Sequence, residues 1–216
     1  MKQRFLLSLL FVCSLMVSAQ AQINKDAIWL GGQVSFSQTT EKPMGSSVSG
    51  KTTGFVISPA IGKAVKENLV VGISATYQYA KGKTGSFTST KYNSYGAGVF
   101  IRKYVPVISQ LYLFGDARLY ASHGIEKSYS SSGSGDIKNK TLDIGVSVTP
   151  GISYAVTKSI QIETGVYSLF TARYQRRDTK QGFSEGKINT FSTGVLLDNS
   201  SPIYIGFRFL LNNKKA

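Results

Sequence analysis

The run Leu69-Val70-Val71-Gly72-Ile73-Ser74-Ala75-Thr76-Tyr77-Gln78-Tyr79 alternates without a break. Leu69, Val71, Ile73, Ala75, Tyr77 and Tyr79 fall on one side of an extended chain. Val70, Gly72, Ser74, Thr76 and Gln78 fall on the other. Side chains of a strand point alternately to its two faces, so period-two patterning over this length predicts a strand. The same pattern spreads outward from it. Ile28, Leu30, Val34 and Phe36 oppose Gln33, Ser35 and Ser37. Leu142, Ile144, Val146, Val148, Ile152 and Tyr154 oppose Asp143, Ser147, Thr149 and Ser153. Leu111 to Ala121 and Ile160 to Phe170 behave alike. No segment beyond the N-terminal twenty residues carries a helical stripe, and an all-β chain is expected.

Turns and linkers organise these strands. Lys66-Glu67-Asn68, Val105 to Ser109 and Thr157-Lys158-Ser159 are short connections. Long polar stretches rich in Ser, Thr, Gly and Lys cover 39–52, 81–91, 123–140 and 173–187. Short turns at one end and long loops at the other are the pattern of an up-and-down transmembrane barrel. The runs 56–65 and 147–156 resemble each other, each carrying a proline (Pro59, Pro150) and leading through a three-residue turn to a new strand. Proline removes a ladder donor, so a bulge or local break is expected at both. Nine alternating segments can be marked, but a barrel of this kind needs an even number. Folding 160–211 about a tip near Gly182 to Glu185 makes 188–211 one strand interrupted at Asp198 to Pro202. The expectation is therefore an antiparallel eight-stranded barrel, with ten strands as the alternative.

The N-terminus reads differently. Lys2 and Arg4 precede an apolar run from Phe5 to Val17, and Ala19-Gln20-Ala21 follows as a small-x-small cleavage site. This predicts a secretory signal peptide over 1–21, leaving residues 22–216 as one barrel domain. Cys13, the one cysteine, lies inside it, preceded by Phe11 and Val12, which do not suit a lipoprotein processing site. No disulfide framework is possible. The whole chain is basic, with a formal net charge of +14.

Alternation alone does not decide which face meets solvent. A soluble barrel buries its apolar face; a membrane barrel turns it toward lipid. Three features favour lipid. The polar faces carry small residues such as Gly72, Gly96, Gly98, Gly145 and Ser147, suited to a crowded narrow lumen. Aromatics gather near strand ends: Tyr77, Tyr79, Tyr92, Tyr95, Tyr104, Tyr112, Tyr120, Tyr154, Phe170 and Tyr174, as in an interfacial girdle. The ending Tyr204-Ile205-Gly206-Phe207-Arg208-Phe209-Leu210-Leu211 has the spacing, at Gly206, Phe209 and Leu211, of a terminal-strand assembly signal.

With these residues, the repeated hairpin and the Phe100-Ile101-Arg102-Lys103-Tyr104 run, the chain resembles the outer membrane protein β-barrel domain family, in the form found in Bacteroidota, over most of 27–211. Members usually end on an aromatic residue, where this chain has Leu211 and a polar tail. The resemblance implies an integral outer-membrane barrel of about eight strands, without established biochemical activity for most members, and handled during biogenesis by the outer-membrane assembly machinery.

Alternation places Arg102, Asp116, Arg118 and Glu163 on the inward face. Eight strands enclose little more than side chains, so these four are expected to pair and plug the lumen. Basic residues crowd the long loops; Arg173, Arg176, Arg177 and Lys180 form the densest group and are expected to contact phosphates of lipopolysaccharide, since a secreted barrel does not routinely meet nucleic acid. His123 is the only histidine. Ser122 beside it points to the opposite face of a strand and Glu126 is the nearest acid, which makes a poor catalytic set. No metal or other cofactor is expected. The reading is a non-enzymatic outer-membrane barrel, structural or surface-interacting. The rivals are a barrel lipid hydrolase or acyltransferase using His123, a small-solute pore and a secreted soluble barrel binding an apolar ligand.

Overall fold

The computed structural model describes residues 23–41, 50–84, 88–130, 136–166, 169–195 and 203–212. The expected signal peptide and its cleavage site lie outside them. The described residues form ten strand segments: β1 (Ile28–Glu41), β2 (Gly50–Lys66), β3 (Leu69–Thr84), β4 (Thr88–Ile108), β5 (Leu111–Ser130), β6 (Ile137–Ala155), β7 (Ile160–Val166), β8 (Phe170–Gln181), β9 (Ser184–Val195) and β10 (Ile203–Leu211). All pairings are antiparallel. β1 to β6 form a meander. β6 then pairs with β8 along its upper part and with β7 along its lower part, while β10 joins β7 to β1. β7 with β8 fills the seventh position of the ring and β9 with β10 the eighth, so the sheet closes as an eight-stranded barrel.

The ring closes through a short seam. β1 meets β10 only over Ile28 to Gly31, opposite Leu211 to Arg208. Above Gly31, β1 pairs with β2 alone among the described residues. The hairpin of β8 and β9 turns at Gly182 and Phe183, with Gly182 at φ +56°, a left-handed conformation that glycine adopts without a side-chain clash.

The apolar face points out. Val34, Phe36, Ile73, Val99, Leu119 and Ile205 are each more than half exposed, while Ser58, Ser74, Ser94, Ser147 and Ser153 are buried inside. That inversion is the arrangement of a barrel whose solvent is hydrocarbon. No helix of the described residues is long and apolar enough to cross a membrane, which says nothing of crossing by strands.

The stretches expected as long loops are hairpins instead. β3 runs to Thr84 and β4 starts at Thr88; β5 runs to Ser130 and β6 starts at Ile137. Polar Thr, Ser, Lys and Tyr reflect the water that bathes these ends, and such residues pair as well above a membrane as apolar ones do within it. The two prolines also differ from each other. At Pro59 the register with β1 is unbroken, and the ladder to β3 lapses at Ser58 and Pro59 without a shift. Pro150 sits where β6 changes partner from β8 to β7. Pro59 therefore interrupts pairing without a bulge.

Lumen packing relies on glycine beneath aromatic rings. Gly62 faces Gly72 across β2 and β3, and Gly72 faces Phe100 on β4. A Cβ on Gly72 would lie 2.3 Å from the Ile61 carbonyl oxygen and 2.6 Å from the Phe100 ring. The ring in turn packs on Trp29 at 5.2 Å. Gly72→Ala is expected to displace Phe100 and cost about 1–3 kcal/mol, the usual range for overpacking. Urea unfolding in micelles, compared with Gly82→Ala, where the nearest atom is 3.4 Å away, measures the difference.

Candidate functional site

At the end of the barrel that holds the short turns, four charged side chains meet inside the wall. Arg102 on β4 extends between Asp116 on β5 and Glu163 on β7. Its Nε and Nη2 both lie 2.9 Å from Asp116 Oδ2, and its Nη1 donates to Glu163 Oε2 at 2.7 Å. Arg102, Asp116 and Glu163 are no more than 3% exposed. Arg118 stands next in the column, 3.6 Å from Asp116 and partly open to the lumen. The structure thus brings together the four inward charges marked from alternation.

Residues not marked from the sequence complete the cluster. Arg208 on β10 is equally buried, with Nε 2.9 Å from Glu163 Oε2, though not aligned as a hydrogen bond. Its Nη1 donates to the carbonyls of Gly32 at 2.7 Å and Phe207 at 2.9 Å. Tyr104 donates its hydroxyl proton to Glu163 Oε1 at 2.6 Å and accepts from Trp29 Nε1 at 3.0 Å. The Arg102 guanidinium lies over Phe114 at 4.5 Å and Trp29 at 4.9 Å. The two fully buried arginines, Arg102 and Arg208, balance the two carboxylates in charge, each with hydrogen bonds or aromatic faces around it, and Arg118 adds a third cation on the open, luminal side. Buried ions persist only when so compensated. Parity would have found Arg208: Ile205, Phe207 and Phe209 alternate outward, which leaves Arg208 inside.

Tyr104 and Tyr112 are a correction. Both are buried in the lumen, and Tyr92 and Tyr120 line it. Of the expected girdle, Tyr77, Tyr79, Tyr95, Tyr154, Phe170 and Tyr174 keep the outward parity. Above the charges the lumen widens into a polar cavity of about 610 Å³, lined among others by Gln33, Ser58, Thr76, Arg118, Asp143 and Gln175.

The basic group at 173–187 occupies the β8–β9 hairpin, not a loop, and its members divide. Arg173 turns inward, 3.7 Å from Asp143 and bonded to Ser192; Arg177 lines the inner wall near Gln78 and Tyr92. Arg176 and Lys180 carry the outward parity of Tyr174, and each is paired, with Asp178 at 3.3 Å and with Glu185. His123 faces outward between Tyr95 and Leu142, whereas Ser122 lines the lumen and Glu126 accepts from Asn139. Neither Ser122 nor Glu126 stands beside it. Among the described residues no group of three metal-ligating side chains occurs.

The family model described as outer membrane protein beta-barrel domain matches residues 6–198. The chain belongs to that family. The outer membrane protein β-barrel is therefore integral to the outer membrane, and its outward apolar band is its lipid face. No curated protein matches the chain. Among solved structures it is similar to the translocator domain of the autotransporter NalP from Neisseria meningitidis, at 12% identity and a TM-score of 0.49; the alignment covers 84% of this chain and spans 62% of that one. In this outer membrane barrel Asp26 and Lys63 mark the inner edge of the band with an exposed ion pair at 2.8 Å; hydrogen bonding to Lys63 and its charge hold the Asp26 carboxyl below its ordinary range.

Proposed function

We propose that this protein is a non-enzymatic outer-membrane barrel whose lumen is shut at its inner end and which acts through its outer surface. The observation carrying this reading is the Arg102–Glu163–Asp116–Arg208 cluster. It crosses the lumen from β4 and β5 to β7 and β10, with every member 3% exposed or less. An ion would have to displace paired charges to pass it. The surface half of the reading is supported by the hairpins that continue above the lipid face and by their excess of basic residues. The separation of His123 from Ser122 and Glu126 supports a non-enzymatic role. The outer membrane assembly machinery would insert the barrel, with Gly206, Phe209 and Leu211 of β10 as its recognition strand.

The experiment is electrical. Purified barrel in a planar bilayer is expected to give current no greater than bare lipid across the physiological voltage range. Steady ion-selective steps from the unmodified protein would replace this reading with that of a small-solute pore.

A further inference from the structure

Register places five lysines side by side on the outer wall. Lys81 on β3 is opposite Lys91 on β4, Lys91 opposite Lys127 on β5, Lys127 opposite Lys138 on β6, and Lys138 opposite Lys180 on β8. All share the parity of the lipid-facing residues below them. Neighbouring strands lie about 4.8 Å apart, and like charges directly opposite one another destabilise a sheet. Lys180 is relieved by Glu185 and the nearby Asp178 by Arg176. Lys81, Lys91, Lys127 and Lys138 have no ion pair among the described residues, and no acid stands in their row before Glu185. A row of unrelieved cations held in register on a rigid sheet is matched by a row of anions.

The wall beneath it has a second feature. Ala75, Ala97 and Ala121 stand side by side across β3, β4 and β5 on the same outward face. Large residues flank them, with Tyr77 and Tyr95 above and Val99 and Leu119 below. The small residues floor an apolar trough of about 930 Å³ that reaches Pro59 on β2 and Ile144 on β6. Six residues separate Ala97 from Lys91, about 20 Å along the strand. Strands tilted by about 45° reduce that to roughly 14 Å along the membrane normal, close to the depth of one hydrocarbon leaflet. The same tilt makes a row of directly opposed residues climb by about 3.4 Å per strand, so the lysines slant through the outer headgroup layer, with the trough at acyl-chain depth on the same strands.

We infer that the outer face of β3–β6 binds a phosphorylated glycolipid of the outer leaflet, its phosphates on Lys81, Lys91, Lys127 and Lys138 and an acyl chain in the alanine trough. This deepens the surface half of the reading above and is independent of the plug. It also moves the expected lipid contact from the β8–β9 hairpin, where Arg173 and Arg177 face inward, to the wall of β3–β6. Phosphate oxygens between neighbouring ammonium groups would remove the cross-strand repulsion, much as divalent cations do between phosphates.

The test uses the full barrel in phosphatidylcholine nanodiscs doped with bis-phosphorylated lipid A, with its dephosphorylated form, or with neither and inorganic phosphate in the buffer. Lipid retained after extraction into detergent is read by native mass spectrometry. The unmodified barrel is expected to retain the phosphorylated lipid and not its dephosphorylated form. Lys91→Gln/Lys127→Gln/Lys138→Gln is expected to weaken retention roughly tenfold or more, and Ala97→Leu/Ala121→Leu to weaken it severalfold with the headgroup preference kept. Heat-modifiable migration shows that each variant is folded; the single Lys127→Gln serves where the triple variant is not. Equal retention of both lipids, undiminished retention by a folded lysine variant, or displacement of the lipid by inorganic phosphate at equal concentration would overturn the inference. A barrel that conducts in planar bilayers yet still retains the phosphorylated lipid would remove the plug and leave this site in place.

Discussion

Glu163→Gln is expected to lower the unfolding stability of the barrel by about 3–5 kcal/mol, the range for breaking a fully buried ion pair. Glu163 is wholly buried, accepts hydrogen bonds from Arg102 and Tyr104, and lies in ion-pair distance of Arg208. The amide can still accept from Tyr104, and side-chain volume is preserved. What is lost is charge, since Arg208 is left without its carboxylate and Arg102 keeps only Asp116, which it shares with Arg118. The expected result is an earlier urea midpoint in micelles with no new conductance in planar bilayers, because the lumen stays filled. Adding Arg208→Gln should recover part of the loss by removing the charge left unpaired, and a double-mutant cycle measures that coupling. Selective current from Glu163→Gln with unchanged stability would mean that the carboxylate lines a conducting path.

The second large effect belongs to the lipid face. Val146→Arg is expected to cost about 2–4 kcal/mol, the range for arginine near the bilayer midplane. Val146 is outward on β6, with Leu119 on one side and Ala172 on the other. Val71→Arg is expected to cost less. Val71 faces Lys63, whose ammonium already reaches the inner interface and pairs with Asp26, so an arginine there could follow the same route to water. Refolding yield into lipid vesicles, followed by heat-modifiable migration, ranks the two. Equal and unimpaired yields would show that these faces do not meet hydrocarbon.

Much of this fold was legible because lipid and lumen impose opposite chemistry on alternate residues. Leu69 to Tyr79 shows this most clearly. Joining 188–211 into one strand led to eight positions in the ring, and β9 and β10 do share the eighth. That β7 ends at Val166 and β8 starts at Phe170 had no such signal. The long hairpins were not legible, because polarity reports the solvent around a segment and not its hydrogen bonding; Lys81 to Thr84 is as regular a strand as Ile73 to Tyr79. Tyr104 lies near a strand end like the girdle residues, but it shares the inward parity of Phe100 and Arg102, and parity decides its face. The inward parity of Arg102, Asp116, Arg118 and Glu163 could be read directly. Their mutual distances could not, because these depend on how far each strand climbs around the ring. The lysine row was hidden for the same reason, since Lys81, Lys91, Lys127, Lys138 and Lys180 become neighbours only once the register is known.

The seam between β1 and β10 has a kinetic consequence. Each meander hairpin joins residues near in sequence and can form early, whereas the β1–β10 contact unites residues about 180 positions apart. Closing so long a loop is slow, and little reward follows before the ends meet. Among the described residues four pairs hold the junction, so backbone bonding there is modest. Arg208 adds a latch, binding the Gly32 carbonyl of the first strand while its guanidinium joins the charge cluster. Closing the ring thus also seats Arg208, already paired with Glu163 on the neighbouring β7, against the first strand, and a barrel that has not closed leaves this buried donor without its Gly32 acceptor. Partly closed forms should accordingly be sparse, and insertion should read as a single late step, with Arg208 rather than the hairpins setting its rate.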